Sequence, residues 1–228
     1  MPLRLVSYNI HRCYGRAGFY DPGRIKDVLD TLDAHIIALQ EVELLHRDPG
    51  LLDRLCAGKP WQALHGMTMT RTGGHYGNAL LTALPVLSIE RLDLSVTGRE
   101  PRGALHVLLD NHGQKLEVIA THLGLRPAER RAQIHALLQR LQASSGEHTK
   151  VLLGDLNEWF LWGRPLRWLH RHFSVTPSLR TFPARWPMFA LDRIWVSPIE
   201  KLEQLSVPCN PLTRKASDHL PLVAQLYD

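Results

Sequence analysis

Eight polar residues stand at the ends of apolar segments of this sequence, where a sheet presents side chains for chemistry. They are Asn9, Glu41, His122, Asp155, Asn157, Asp192, Asp218 and His219. Taken singly, each has a structural explanation, because Asn and Asp form turns and a single His is commonly structural. Taken together, they offer many oxygen ligands, two imidazoles and no thiolate. Such a set suits Mg²⁺ or Mn²⁺, hard ions that prefer carboxylate, amide and water oxygens.

The segments that must position these residues have the pattern of buried strands. Ile36–Leu39 and Val151–Leu153 are apolar on consecutive residues, which is typical of strands covered on both faces. The predicted strands are Leu3–Asn9, His35–Gln40, Trp61–His65, Asn78–Thr82, Ala104–Leu109, Leu116–Thr121, Val151–Gly154, Arg193–Val196 and Leu220–Leu226.

Two helices are predicted between these strands. The first follows Asp21-Pro22, where aspartate is a good N-cap and proline suits the first helical position. The second follows Pro127 and carries a leucine-rich apolar stripe. Strands in excess of helices predict a layered sandwich of two sheets flanked by helices. No linker or repeat divides the sequence, so we expect residues 1–228 to form a single domain.

Composition limits the partners and the compartment. The formal net charge of +5 is a modest basic excess that favours an anionic partner. The three cysteines, Cys13, Cys56 and Cys209, are odd in number and far apart, which suits a reducing cytosol and provides no zinc site. With no leader pattern and no long apolar run, we expect a cytoplasmic protein without a transmembrane helix. No feature predicts an obligate protein partner.

Seven short motifs, in order along the chain, resemble those of the endonuclease/exonuclease/phosphatase superfamily. They are Tyr8-Asn9-Ile10-His11, Leu39-Gln40-Glu41-Val42, Gly77-Asn78-Ala79-Leu80-Leu81-Thr82, Thr121-His122-Leu123, Gly154-Asp155-Leu156-Asn157, Leu191-Asp192-Arg193-Ile194 and Ser217-Asp218-His219-Leu220-Pro221-Leu222. The stretch from Arg180 to Asp192 is similar to the compact bacterial branch of YbhP-like hydrolases. The resemblance implies an α/β (α+β) fold, a DNase I-like four-layer α/β/β/α sandwich of two mainly antiparallel sheets flanked by helices.

The resemblance also implies a Mg²⁺- or Mn²⁺-dependent phosphoesterase. In that class Glu41 would be the principal metal ligand, and Asn9 would help to hold the metal or the scissile phosphate. Asp218 would complete the metal shell, and the metal would polarise the phosphoryl oxygen. His11 stands where similar abasic-site enzymes carry an acidic residue, which favours one metal ion over two.

The remaining residues of the motifs would act on the water and the phosphate. Asp155 and Asn157 are two residues apart, so on an extended segment both side chains would point to one side. Asp155 would then accept a proton from the attacking water while Asn157 orients it. His219, paired with Asp192, is a second candidate for the general base, or a cationic phosphate ligand. His122 would donate to a non-bridging oxygen, and the choice between Asp155 and His219 stays open.

Two further residues are candidates for holding phosphate. Asn78 lies in the Gly-Asn-Ala-Leu-Leu motif, and the alternative is a hydrogen bond to an adjacent loop. Arg102 could clamp a phosphate through two parallel hydrogen bonds, and the alternative is a surface ion pair with Glu100.

The resemblance leaves the substrate open, because one scaffold serves DNA, RNA, inositol phosphates and phospholipid headgroups. The basic charge favours nuclease activity, and a phospholipid or inositol-phosphate phosphodiesterase or phosphatase is the alternative. The segment Trp159–Phe173 is dense in aromatic and basic residues, so it could contact a membrane, stack nucleic-acid bases or form a helix packed on the sheet. A catalytically inactive binding module is also conceivable, but it would be expected to lack Glu41, Asp155 or His219.

Overall fold

Two β-sheets form the centre of the computed structural model, which describes residues 2–144, 146 and 148–227. The strands are β1 (Leu3–Asn9), β2 (Ile36–Leu45), β3 (Gln62–Arg71), β4 (Gly74–Thr82), β5 (Val86–Asp93), β6 (Gly103–Asn111), β7 (Gln114–His122), β8 (Thr149–Asp155), β9 (Asp192–Ser197), β10 (Leu202–Ser206) and β11 (Leu222–Leu226). The first sheet has the order β10-β11-β1-β2-β4-β3, and the second has the order β5-β6-β7-β8-β9. The pairs β1–β2 and β7–β8 are parallel, and the other neighbouring pairs are antiparallel.

The helices cover the outer faces of the two sheets. They are α1 (Pro22–Thr31), α2 (Leu51–Cys56), α3 (Pro127–Ala143), α4 (Arg164–Phe173) and α5 (Thr213–Ala216). The first helix begins where the sequence predicts, because the Asp21 side chain accepts a hydrogen bond from the Arg24 backbone N–H at 3.0 Å. The predicted start of the second helix at Pro127 is also observed.

Alternation along the strands separates the apolar residues into layers. On β1, Leu3 and Leu5 face the second sheet, whereas Val6 and Tyr8 pack beneath α1 and α2. A third apolar layer joins the outer face of the second sheet to α3 and α4. The four-layer α/β/β/α sandwich predicted from the resemblance is therefore confirmed.

Several elements differ from the sequence prediction. The strands β5 and β10 and the short helices α2 and α5 were not predicted. Both strands lie at sheet edges and alternate between exposed and half-buried residues, so they lack the continuous apolar runs of the central strands. The last strand begins at Leu222 rather than Leu220, and β2 continues to Leu45 rather than ending near Gln40.

Within the described residues, no helix has the length and hydropathy that crossing a membrane requires. The cysteines Cys13, Cys56 and Cys209 are free thiols, as their spacing predicts.

Candidate active site

One end of the sandwich gathers the predicted polar residues, because strands of both sheets end there. Asn9 is the last residue of β1 in the first sheet, and His122 and Asp155 are the last residues of β7 and β8 in the second. The parallel register of β7 and β8 places His122 beside Asp155. The antiparallel register of β8 and β9 places Asp192 on the other side of Asp155. Residues far apart in the sequence thus meet at a single edge.

The Asp155 carboxylate lies at the centre of this cluster and is 1 % exposed. Its Oδ2 accepts a hydrogen bond from Asn9 Nδ2 at 3.0 Å. The same oxygen lies 3.6 Å from His122 Nε2 and 3.7 Å from His219 Nε2. One carboxylate oxygen is therefore faced by an amide nitrogen and two imidazole nitrogens.

The predicted contact between His219 and Asp192 is present, with 2.8 Å between Nδ1 and Oδ2. The Thr181 hydroxyl donates to the same Asp192 oxygen at 2.5 Å, a contact that the sequence analysis did not predict. Burial lowers the pKa of His219, but the charges of Asp192 and Asp155 outweigh burial and raise this pKa to about 10. His219 is therefore an imidazolium at neutral pH, held between two carboxylates.

Glu41 does not end β2, as the sequence suggested, but lies at a β-bulge within it. The register between β2 and β4 shifts between Leu39 and Val42, and Glu41 adopts a φ of 55°. The bulge turns the carboxylate towards the cluster, where Glu41 Oε1 accepts from Asn9 Nδ2 at 3.2 Å. Burial raises the pKa of Glu41, and the nearby charges of Asp218 and Asp155 act in the same direction.

Asn157 reaches the site by a turn and not by the extended backbone that the sequence analysis assumed. Its φ is 50°, and its backbone N–H donates to Asp155 Oδ1 at 2.9 Å, which closes a local turn. The side-chain Nδ2 donates to the Leu123 carbonyl at 2.9 Å and lies 3.0 Å from His122 Nε2. Asp155 and Asn157 therefore face one site, but for a different geometrical reason.

His122 is fixed from behind by Arg102. Arg102 Nη1 lies 3.2 Å from His122 Nδ1 and 3.1 Å from Glu100 Oε1. The ion pair with Glu100 that was the alternative for Arg102 is therefore present, with Glu100 exposed and the guanidinium buried. Burial lowers the pKa of His122 to about 3, and the positive charges of Arg102 and His219 add to this effect against the opposing charge of Asp155. His122 is therefore neutral at neutral pH.

The other phosphate candidate, Asn78, makes a structural hydrogen bond, but to the other sheet and not to an adjacent loop. Its Nδ2 donates to the Gly103 carbonyl at 3.2 Å and so links β4 to the start of β6. Asn78 is buried, and this hydrogen bond connects the two sheets near the site.

Asp218 lies at the outer side of the cluster, next to His11. The distance from His11 Nδ1 to Asp218 Oδ1 is 3.9 Å, and both side chains are partly exposed. Ser217, between them and the core, donates to the Asn9 carbonyl at 2.7 Å. His11 thus stands beside two of the predicted metal ligands, Asp218 and Glu41, whose charges influence each other.

Among the described residues, one group of three could hold a metal ion by the distances between its ligand atoms, namely Asp155, Asp192 and His219. Within this group His219 lies 2.8 Å from Asp192 Oδ2 and 3.7 Å from Asp155 Oδ2, and Asp192 Oδ1 is buried with no hydrogen-bond partner among the described residues. Glu41, Asn9 and Asp218 adjoin the group and offer oxygen ligands without an imidazolium among them. The chemistry of this second donor set fits a hard divalent cation better.

Left-handed backbone is concentrated at this end of the molecule. Of the non-glycine residues with positive φ, His11, Arg12 and Cys13 lie two to four residues after Asn9, and Glu41 and Asn157 carry site side chains. Such conformations cost about 1–3 kcal/mol each and persist where the surrounding structure requires them. None of these residues is glycine, and among them only His11 and Asn157 are of types that favour this backbone.

A buried ion pair also supports the site and was not predicted. Arg130 of α3 lies 3.2 Å from Glu158, and both side chains are buried. Arg130 also donates to the Leu125 carbonyl at 2.7 Å. The pair therefore ties the loop after His122 to the residue after Asn157.

The segment Trp159–Phe173 divides into two parts. From Arg164 onward it forms α4, whose residues Leu166, Leu169 and Phe173 are buried against the second sheet, as in the packed-helix alternative. Before the helix, Trp159 to Trp162 are exposed.

Two sheets between helices, with carboxylate, amide and imidazole side chains at one end, are the architecture of a class of phosphoester-hydrolysing enzymes. Residues 6–219 match the model of the Endonuclease/Exonuclease/phosphatase family. The chain belongs to this family, and it is an enzyme that hydrolyses phosphoesters.

Individual relatives support the assignment along the whole chain. The chain is similar to protein YbhP of Escherichia coli K12. The two are 30 % identical over an alignment 245 residues long, which includes 98 % of this chain and 96 % of YbhP. A solved structure of a family protein from Bacteroides vulgatus matches with a TM-score of 0.81 and 19 % identity, covering 100 % and 99 % of the two chains. A mannosyl-6-phosphatase from Bacteroides thetaiotaomicron matches with a TM-score of 0.80 and 16 % identity, covering 99 % of this chain and 100 % of that one. At these low sequence identities, the two structures support the assignment of the fold but not of a substrate.

Proposed function

We propose that the protein is a divalent-metal-dependent phosphodiesterase whose catalytic group is Asp155. The observation that carries this proposal is the convergence of Asn9, His122 and His219 on one oxygen of the Asp155 carboxylate. An oriented carboxylate surrounded by donors suits a reaction in which a water proton is removed while negative charge grows on a phosphoryl group.

Glu41, Asn9 and Asp218 would hold the metal ion, Mg²⁺ or Mn²⁺. The fit is chemical, because burial raises the pKa of Glu41, and a cation beside Glu41, Asp155 and Asp218 would stabilise their charged carboxylates. When bound, the ion would polarise the phosphoryl oxygen and stabilise the leaving oxygen. A single ion is the simpler proposal, since His11 occupies the position beside Asp218.

Asp155 is the better candidate for the general base than His219. The raised pKa of His219 means that both ring nitrogens carry protons at neutral pH, so this ring cannot accept another. Asp155 Oδ2 accepts the proton of the attacking water, and the Nε2 proton of His219 holds the phosphoryl group as a cationic donor. Asp192 and Thr181 position His219 for this task.

His122 and Asn157 form a paired donor site. Arginine cannot accept a hydrogen bond, so the lone pair of His122 Nδ1 faces Arg102 and the proton of the neutral ring is on Nε2. His122 Nε2 lies 3.0 Å from Asn157 Nδ2, which also donates to the Leu123 carbonyl, and 3.6 Å from Asp155 Oδ2. A non-bridging phosphoryl oxygen would satisfy both donors and receive most stabilisation as its charge grows.

Two substrate classes are proposed: nucleic acid, which the sequence analysis favours, and phospholipid. The net charge of +5 suits a polyanion such as DNA or RNA. The exposed apolar residues around Trp162 favour phospholipid. The phosphate roles proposed for Asn78 and Arg102 and the cytoplasmic location are predictions from the sequence.

Hydrolysis of bis-(p-nitrophenyl) phosphate tests the proposal. Turnover is expected with Mg²⁺ or Mn²⁺ and is expected to stop with excess EDTA and return when the metal is restored. Metal-independent turnover, or none with either ion, would reject it. A parallel panel of duplex DNA, abasic DNA, RNA, phosphoinositides and cardiolipin-type lipids then ranks the substrate classes.

A further inference from the structure

Five large apolar side chains project into solvent from two loops beside the candidate active site. We call them the apolar rim: Phe160, Leu161, Trp162, Trp186 and Met188, each between 56 % and 71 % exposed. Soluble proteins expose single apolar residues commonly, but clustered exposed aromatic residues mark an interaction surface. The rim is therefore a candidate interaction surface.

The rim is attached firmly to the catalytic residues. The Trp159 ring packs against the rings of Phe189 and Phe182, at 4.9 and 5.8 Å between centroids, and so joins the two loops. The Phe182 ring in turn lies 4.7 Å from the His219 ring. At the start of the first loop, the Phe160 N–H donates to Glu158. A partner on the rim would thus lie against the entrance of the site.

The segment that carries the rim, residues 159–191, holds the whole charge excess of the protein. It contains five arginines and no lysine, aspartate or glutamate, whereas the other 22 Lys and Arg are matched by all 22 Asp and Glu. The five are Arg164, Arg167, Arg171, Arg180 and Arg185. All are exposed, and none forms an ion pair with another described residue.

Apolar side chains flanked by unpaired arginines fit a surface with an apolar interior and an anionic face. Trp162 is followed closely by Arg164, and Trp186 is preceded by Arg185. Tryptophan rings favour the headgroup level of a bilayer, and arginines favour anionic lipid. Leu161 offers no plane for base stacking, and Met188 offers none either, so single-stranded nucleic acid would leave both exposed.

We propose that the apolar rim docks the protein on anionic lipid membranes, so that the site meets phosphodiesters of phospholipid headgroups. The choice of substrate rests on the proposed phosphodiesterase function, whereas the docking does not. The rim inserts to the level of the headgroups, and the arginines add attraction that salt weakens.

Vesicle co-sedimentation tests the docking without requiring turnover. Vesicles of phosphatidylcholine alone and with phosphatidylglycerol are mixed with the full chain at low and high salt. We expect the wild-type protein to bind the anionic vesicles, and binding to fall at high salt. The Leu161→Ser and Trp162→Ser variants should each bind about tenfold more weakly, whereas Leu87→Ser, an exposed apolar residue of β5, should bind like the wild type.

The contribution of the arginines to vesicle binding is tested with a matched pair of charge-removing variants. Arg164→Gln should weaken binding to anionic vesicles by about fivefold, and Lys115→Gln, near the start of β7, should not. The same proteins are titrated with a fluorescent single-stranded oligonucleotide. No binding of wild type to anionic vesicles, equal binding by Trp162→Ser and Leu87→Ser, or losses confined to the oligonucleotide would overturn the proposal. Because hydrolysis of the soluble ester is measured separately, failed docking and failed catalysis give different results.

Discussion

Arg102 Nη1 lies 3.2 Å from His122 Nδ1, and this contact favours the tautomer of His122 whose proton is on Nε2. The guanidinium only donates, so the imidazole must present a lone pair to it and keep its proton on Nε2, facing the site. Arg102 is therefore a positioning residue, in addition to any contact with phosphate. Its own side chain is buried and anchored by Glu100.

Replacing Arg102 by methionine should release this constraint on His122. We expect kcat for bis-(p-nitrophenyl) phosphate to fall about 10²-fold, as for loss of one donor to a developing oxyanion. Nitrogen NMR of the His122 ring should show the Nε2–H form in the wild type and a mixture in the variant. Lysine at this position also only donates, so Arg102→Lys should recover the Nε2–H form. A variant that loses activity while the tautomer stays unchanged would contradict the positioning role.

Metal binding should depend on Glu41. Mg²⁺ is expected to raise the Tm of the wild-type protein and to leave the Tm of Glu41→Gln nearly unchanged. Without metal, Glu41→Gln should be the more stable protein, because it removes one of the crowded carboxylates around Asn9. Differential scanning calorimetry with Mg²⁺ and with EDTA measures both effects. Glu203→Gln, an exposed carboxylate on β10, serves as the control, and equal Mg²⁺ shifts in both variants would count against the site.

A second buried carboxylate, Glu117, should make stability depend on pH. Glu117 lies on β7 beside a cavity of about 1000 Å³, at the end of that strand opposite His122. Burial raises its pKa, but hydrogen bonds from His106, Ser144 and His148 outweigh burial and lower the pKa from 4.5 to about 2. A carboxylate whose pKa is lower in the folded state stabilises the protein above its unfolded pKa.

The stabilisation by Glu117 should therefore disappear between about pH 5 and pH 2, as the unfolded state takes up a proton before the folded state does. At about 1.4 kcal/mol for each pKa unit, the contribution is about 3 kcal/mol. Urea unfolding of the wild type and of Glu117→Gln across this range measures it. The difference between their free energies of unfolding should shrink as the pH falls, and a constant difference would show that the pKa of Glu117 is not lowered.

Much of the fold followed from the sequence because the central strands carry strong signals. Ile36–Leu39 and Val151–Leu153 are apolar without interruption, and burial on both faces explains this. Edge strands such as Val86–Asp93 were missed, because half of their residues face solvent and no run distinguishes them from a loop.

The identities of the clustered residues could be predicted, but their geometry could not. The order of the motifs brought Asn9, His122 and Asp155 into one site, as observed. The sequence did not indicate that Glu41 would lie at a bulge, or that Asn157 would adopt a left-handed backbone. The conformation of Glu41 depends on the neighbouring strand, which imposes a strain that local sequence preference opposes. Asparagine adopts left-handed backbone more readily than most residues, but its presence alone does not specify that conformation. The contact of Arg102 with His122 also depends on the tertiary structure, so the sequence pattern did not predict it.

The most direct test of the proposed mechanism is the turnover of bis-(p-nitrophenyl) phosphate with Mg²⁺ by Asp155→Asn, compared with His219→Ala and the wild type. If Asp155 accepts the water proton, Asp155→Asn should lower kcat by a factor on the order of 10²–10⁴ while circular dichroism shows an intact fold. His219→Ala should lower kcat through the loss of a cationic donor to the phosphoryl group. Turnover by both variants at the wild-type rate would contradict the mechanism.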